Sequence, residues 1–125
     1  VRVVLPPFPF DDEKTYDENS RNAAVVFQSE SREGIHLEDT KRVDGQWRAA
    51  GESGMPLVVT GKSETMQAAR EQAYGRVEDV LIPNLYYRDD IGERWVDGDG
   101  DRLQAWGVSR PERVTAGETP NFRFA

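Results

Sequence analysis

Residues 57–81 read Leu57-Val-Val-Thr-Gly-Lys-Ser-Glu-Thr-Met66-Gln-Ala-Ala-Arg-Glu-Gln-Ala73-Tyr-Gly-Arg-Val77-Glu-Asp-Val80-Leu81, and the hydrophobic period changes within them. Leu57-Val58-Val59-Thr60 is a continuous apolar run of the kind that forms a short buried strand. From Ser63 to about Leu81, Met66, Ala69, Ala73, Val77 and Val80 recur at spacings of 3, 4, 4 and 3, which gives one apolar face of an amphipathic helix. Ser63 is the expected N-cap, Glu64 falls in the first turn where the helix dipole favours an anion, and Pro83 is the expected stop.

Upstream of this helix the chain reads as strands. Val1 to Leu5 is a β-branched run ended by Pro6-Pro7, since proline lacks the amide a sheet ladder needs. Phe8 to Asn22 is an acidic stretch, expected to be a long loop or a short helical turn pinned by Phe8, Phe10 and Tyr16. Ala23-Ala24-Val25-Val26-Phe27, Ile35-His36-Leu37, Lys41-Arg42-Val43 and Gln46-Trp47-Arg48-Ala49-Ala50 follow, the last two joined by Asp44-Gly45. Asp-Gly between such runs signals a hairpin, because a type I′ turn needs positive φ at both central positions. Downstream, Leu85-Tyr86-Tyr87 is the expected last strand, Val96 to Asp101 a turn, and Leu103 to Gly107 a short closing strand. The order spells an α+β fold: an antiparallel sheet, or a small barrel-like sandwich, with one amphipathic helix over about 63–81.

A length of 125 residues suits one domain, 1–125, with a core over about 1–95 and a C-terminal extension over 96–125. The formal net charge is −7, and only three of the sixteen basic residues are lysines (14, 41 and 62), the others being arginines. That charge argues against nucleic acid or an anionic membrane as a partner. With a mean hydropathy of −0.73 and no cysteine, the chain reads as soluble and cytoplasmic. Abundant acids with few lysines fit either an ordinary acidic domain or one adapted to concentrated salt.

Most chemical motifs fail on spacing. Gly61-Lys62-Ser63 resembles the end of a phosphate-binding P-loop, but Pro56 stands where the first glycine is needed. Asp97-Gly98-Asp99-Gly100-Asp101 imitates a calcium loop, yet its sixth position is Arg102 and its twelfth Val108, so no metal site is expected. His36 is the only histidine and reads as a hydrogen-bonded residue at a strand end. Asp11-Asp12-Glu13 and Asp89-Asp90 are adjacent acids in an acidic chain, and catalytic residues are not expected among them. Tyr86-Tyr87-Arg88-Asp89-Asp90-Ile91-Gly92 is more informative. An arginine fork beside aromatics can hold a phosphate or carboxylate at two points, or it can pair with Asp89 or Asp90.

Pro56-Leu-Val-Val-Thr-Gly61, Glu64-Thr65, Ala68-Ala69, Glu71-Gln-Ala-Tyr74, Val77 and Tyr86-Tyr-Arg-Asp-Asp-Ile-Gly92 together resemble the C-terminal domain of the glycinamide ribonucleotide synthetase (phosphoribosylamine–glycine ligase) family, in the ATP-grasp superfamily. The resemblance covers roughly residues 1–95. It implies an enzyme that joins glycine to phosphoribosylamine with ATP in purine biosynthesis. It further implies ATP and Mg2+ (or Mn2+) as cofactors of the full-length enzyme, bound outside this segment, which alone is expected to be inactive. The implied partners are the enzyme's N-terminal and ATP-grasp domains and its substrates, with Arg88 and Tyr87 as substrate-binding residues. The acidic composition and the Asp99 to Gly107 extension resemble versions from salt-loving archaea. Arg88-Asp89 stands where bacterial members have two arginines, and only Phe8-Pro9 echoes their glycine-rich loop. The second expectation is a non-catalytic binding module that keeps the fold.

If the composition reflects salt adaptation, the melting temperature should climb between dilute buffer and molar potassium chloride. With a Debye length of ~3 Å at 1 M, screening of the −7 charge still tightens beyond physiological ionic strength. A flat or falling melting temperature would leave the ordinary acidic domain.

Overall fold

The computed structural model describes residues 1–109, so the part of the expected extension from residue 110 onward lies outside the described residues. It contains two antiparallel sheets and three helices, an α+β arrangement as expected, although with two more helices than the sequence reading gave. The strands are β1 (Arg2–Val3), β2 (Ala24–Phe27), β3 (Ile35–Leu37), β4 (Thr40–Val43), β5 (Gln46–Ala49), β6 (Leu57–Val59) and β7 (Val80–Leu81). The helices are α1 (Glu13–Asn19), α2 (Met66–Glu78) and α3 (Gly100–Ala105). One sheet has the order β1-β6-β3 and the other β4-β5-β2-β7. The β4–β5 hairpin turns at Asp44 and Gly45 with φ of 50° and 80°, the positive pair that its Asp-Gly sequence requires.

The core joins both sheets to α2. Val3, Leu5, Leu57 and Val59 come from the first sheet and its flank, Val25, Ala49 and Val80 from the second, and Val77 from the helix. Alternation along the strands sends Val25, Ala49 and Val80 inward and leaves Val26, Arg48 and Leu81 on the opposite face.

Helix α2 is shorter than its hydrophobic period suggests. Its N-cap is Thr65, not Ser63: the Thr65 hydroxyl accepts from the Ala68 N–H at 3.2 Å. Residues 61–64 cannot wind into the helix because they are spent seating it. The Lys62 N–H donates to Gln72 Oε1 at 2.7 Å, and Gly61 presses so closely on the helix that a Cβ there would lie 2.0 Å from the Ala69 carbonyl oxygen. At the other end the helix stops at Glu78, well before Pro83. Val80 satisfies both a helical period and an inward strand position, and pairing of β7 with β2 takes it. Asp79 fixes that handover, its carbonyl accepting from the Gln28 N–H and its carboxylate from the Ser29 N–H and hydroxyl.

Of three further expectations, the first is met in its helical alternative and the other two are corrected. Phe8 to Asn22 contains a true helix, α1, capped by Asp12, which accepts from the Thr15 N–H at 3.1 Å and the Thr15 hydroxyl at 2.7 Å. Tyr16 pins it and is buried, but Phe10 is exposed. Leu85 to Tyr87 is not a strand: only Tyr86 pairs, in a single bridge with Val4, because the Leu85 amide turns back to the Ile82 carbonyl. Leu103 to Gly107 does not close a sheet, since Leu103, Gln104 and Ala105 belong to α3, where Gly100 lies flat against the Trp95 ring. The preceding Trp95–Asp99 stretch is a wide helical turn broken at Gly98.

Gly61 and Gly75 make opposing predictions. Gly61→Ala should destabilise the fold by roughly 1–3 kcal/mol, the usual range for overpacking, because its methyl would meet backbone rather than a pliable side chain. Gly75, in α2, has nothing within 4 Å of its would-be Cβ, so Gly75→Ala should stabilise by about 0.5–1 kcal/mol. Urea denaturation of the two variants tests both signs.

Candidate functional site

Residues 86–92 run along one flank of α2, and that helix holds them by their backbone. Arg70 and Tyr74, one turn apart, project beside the apolar face formed by Ala69, Ala73 and Val77. Arg70 donates from Nε to the Ile91 carbonyl at 2.7 Å and from a terminal nitrogen to the Asp89 carbonyl at 3.1 Å. The Tyr74 hydroxyl donates to the Arg88 carbonyl at 2.7 Å and accepts from the Ile91 N–H at 3.1 Å. Arg70 also lies over the Tyr74 ring, 5.5 Å from its centroid. Gly92 closes the segment at φ 77°, where a Cβ would crowd Met66 and Arg70. At the other end the Tyr86 hydroxyl donates to the Phe8 carbonyl, and the Tyr86 backbone exchanges two hydrogen bonds with Val4, at 2.9 and 3.0 Å.

Tyr87 and Arg88 therefore stand on a backbone fixed at both ends. The Tyr87 ring lies 6.0 Å from that of Tyr74, tilted by 41°. Arg88 is 76% exposed and pairs with Asp90, not Asp89: its Nε and one terminal nitrogen donate to the two carboxylate oxygens at 2.8 and 2.6 Å. The Asp89 carbonyl belongs instead to Arg70. A guanidinium has five N–H donors, and Asp90 takes two of them along one edge. The remaining edge of Arg88 points away from that pair and can meet an anion in two-point contact.

The sequence reading named Tyr87 and Arg88 but not Arg70 and Tyr74 as the residues that place them. Their signal was available as a four-residue spacing on the flank of a helix, although nothing in the sequence says which segment that flank faces. The other candidates lie apart. His36, on β3, sits with Nε2 3.0 Å from the Thr60 hydroxyl. Asp12 of the acidic run is spent as a helix cap. Asp99 is engaged by Arg94 at 2.9 Å inside the helical turn, so the calcium-like run does not form a loop around an ion. Among the described residues no group of three or more His, Asp or Glu side chains is placed to hold a metal ion. No helix among them is long and apolar enough to cross a membrane.

Fold and site define an α+β domain whose candidate residues Tyr87 and Arg88 stand at its surface, on a backbone held by one helix. The crystal structure of phosphoribosylamine–glycine ligase from Thermotoga maritima has a similar part: TM-score 0.56 and 25% identity over 72% of this chain and 20% of that one. Similar sequences carry the same name. The phosphoribosylamine–glycine ligase of Mycobacterium tuberculosis is 33% identical over 85 residues, 68% of this chain and 20% of the relative. That of Mycobacterium leprae is 32% identical over 79 residues, 63% and 18% respectively. That of Ralstonia nicotianae is 41% identical over 51 residues, 41% and 12%. No protein-family profile matches the chain. The chain's homologues are ligases, and it spans about a fifth of the length of the Mycobacterium relatives it matches.

The Arg88–Asp90 pair is open to direct measurement. Hydrogen bonds from Arg88, and then its charge, hold the Asp90 carboxyl below the usual aspartate range. The folded value is the depressed one, so the pair supports the fold above the unfolded aspartate pKa and is lost as pH falls through the folded one. A pH titration of carboxyl carbon shifts should find Asp90 low, and Arg88→Ala should return it to the ordinary range.

Proposed function

We propose that this chain is the C-terminal domain of a phosphoribosylamine–glycine ligase, the ATP-dependent carbon–nitrogen ligase that forms glycinamide ribonucleotide in purine biosynthesis. The observation that carries this reading is the coincidence of two independent similarities to one enzyme, 33% identity over 85 residues and the same fold over 72% of the chain. In this reading the domain forms a wall of the active site, and works in the cytoplasm.

Arg88 supplies the wall's ligand chemistry. A sugar phosphate presents oxygens at the spacing of a guanidinium edge, and Asp90 leaves one such edge unused while fixing the plane of the group. Tyr87, beside it, offers an aromatic face and a hydroxyl for the ribose. Because the arginine is already oriented, a phosphate need not immobilise it. ATP and its Mg2+ (or Mn2+) fall to the rest of the enzyme: Gly61-Lys62-Ser63, the one segment reminiscent of a phosphate loop, is spent on seating α2. The segment alone is accordingly inactive. The acidic, lysine-poor composition supports a source adapted to concentrated salt, as in halophilic archaea.

In the full-length enzyme, Arg88→Ala should lower kcat/KM for phosphoribosylamine at least tenfold, the scale of one charge-assisted hydrogen bond, with much smaller effects on ATP and glycine. Steady-state kinetics with each substrate varied in turn checks this. An unchanged phosphoribosylamine dependence with a lower melting temperature would make Arg88 a contact between domains.

A further inference from the structure

Residues 88–91 make a turn that does not close on itself. In a closed four-residue turn the N–H of the last residue donates to the carbonyl of the first. Here the Tyr74 hydroxyl stands between those two groups, accepting from the Ile91 N–H at 3.1 Å and donating to the Arg88 carbonyl at 2.7 Å. The overlapping turn is an internal contrast: the Glu93 N–H donates directly to the Asp90 carbonyl at 3.1 Å, with Gly92 at φ 77° in the third position, where a type II turn takes a positive φ. Arg70 takes the two carbonyls left over, those of Asp89 and Ile91. Every carbonyl from 88 to 91 thus has a partner, and the Tyr74 hydroxyl is the group that keeps the turn open. The open turn matters to Arg88, because this backbone sets where Arg88 and Asp90 project to meet in their two-point pair. The Tyr74 ring has a second contact, its centroid lying 6.0 Å from that of Tyr87. One residue of α2 therefore touches both candidate ligand residues, Arg88 through its hydroxyl and Tyr87 through its ring.

We propose that Tyr74 is a positioning residue for the substrate: its hydroxyl wedges the 88–91 turn open and so sets the geometry in which Arg88 meets phosphoribosylamine, while its ring seats Tyr87. The inference rests on the ligase reading above. The two tasks belong to different atoms and are separable. Removing the hydroxyl alone lets the Ile91 N–H pair directly with the Arg88 carbonyl, which shifts Arg88 and Asp90 and loosens their pair, while the ring keeps its contact with Tyr87. Phenylalanine is a small change for the fold, since Tyr74 is half-buried and the buried residues of α2 are Ala73 and Val77. A tyrosine with a purely structural role would lose stability on that exchange without altering substrate use, and a positioning tyrosine does the reverse.

The test is a double-mutant cycle in the full-length enzyme that combines Tyr74→Phe with Arg88→Ala. Tyr74→Phe is expected to lower kcat/KM for phosphoribosylamine roughly three- to tenfold, the scale of one neutral hydrogen bond, with the ATP and glycine dependences unchanged. In the Arg88→Ala background the same exchange should cost nothing further, because the residue it positions is gone. Tyr74→Leu, which also removes the ring, should keep a residual loss in that background through Tyr87, and no residual loss would overturn the part assigned to the ring. Full additivity of Tyr74→Phe and Arg88→Ala would overturn the inference, as would an unchanged phosphoribosylamine dependence in Tyr74→Phe. A second readout needs no activity and uses this chain. The charges that hold the Asp90 carboxyl low are those of Arg88 and, behind it, Arg70. Tyr74→Phe should bring the Asp90 titration up toward the ordinary aspartate range as the Arg88 pair loosens, at a melting temperature close to the parent's, and an unmoved titration would overturn the inference. If Asp90 moves as expected in a full-length protein that has no ligase activity, the ligase reading fails and only the positioning of Arg88 by Tyr74 stands.

Discussion

The seat of helix α2 on Gly61 is the contact from which the rest of the structure is set. The Ala69 carbonyl comes so close to Gly61 that no side chain fits between them, and the next residue's amide reaches across to Gln72. With its depth fixed, the helix sends Ala73 and Val77 into the core, while Arg76 reaches the Thr60 carbonyl at 2.7 Å and Glu33 at 2.9 Å on one flank. Arg70 and Tyr74 take the backbone of residues 88–91 on the other. A small-residue inner face explains how the approach is possible: alanines at 69 and 73 allow a helix to lie closer to a sheet than leucines would. The same closeness makes the fold sensitive, because interiors packed to crystal-like density have little room to absorb an added methyl.

Backbone anchoring has a consequence for the candidate site. The groups that hold residues 88–91 are bound to main-chain carbonyls and an amide, so the side chains of Tyr87 and Arg88 remain available while their positions are fixed. Such an exposed ion pair contributes little to stability, since solvent screens it. The Arg88–Asp90 pair is better understood as orientation: two of five donors are committed, the guanidinium plane is set against the carboxylate, and the side chain stays largely exposed. In the proposed function, such a margin site is completed by the other domains of the enzyme. That accords with a chain that matches only about a fifth of the length of its Mycobacterium relatives.

Charge follows the same division. Carboxylates outnumber cations overall, and most of the arginines near them are matched locally, as Arg2 is by Glu38, Arg21 by Asp17 and Arg94 by Asp99. Lys41, Lys62, Arg32, Arg42, Arg48 and Arg70 have no carboxylate at ion-pairing distance among the described residues, and three of these arginines are engaged otherwise: Arg32 and Arg42 over aromatic rings, and Arg70 on backbone carbonyls.

The sequence by itself determined the α+β class, the Asp44-Gly45 hairpin and the apolar face of the long helix, because each is written in short-range patterns of period and turn chemistry. It also singled out the Tyr86 to Gly92 motif. Its errors fall where a local pattern served two outcomes. Val80 fits a helix and a strand equally well, and only β2, lying more than fifty residues earlier, decides for the strand. Ser63 and Thr65 are both good caps, and the seating of Gly61 against the helix selects the second. Leu103 to Ala105 could extend or coil, and Gly100 packed on the Trp95 ring turns them into a helix. Arg70 and Tyr74 were legible only as helix residues. Their role arises when tertiary structure lays residues 88–91 along the flank they occupy, since a hydrogen bond to a backbone carbonyl carries no signature in the sequence that supplies the carbonyl.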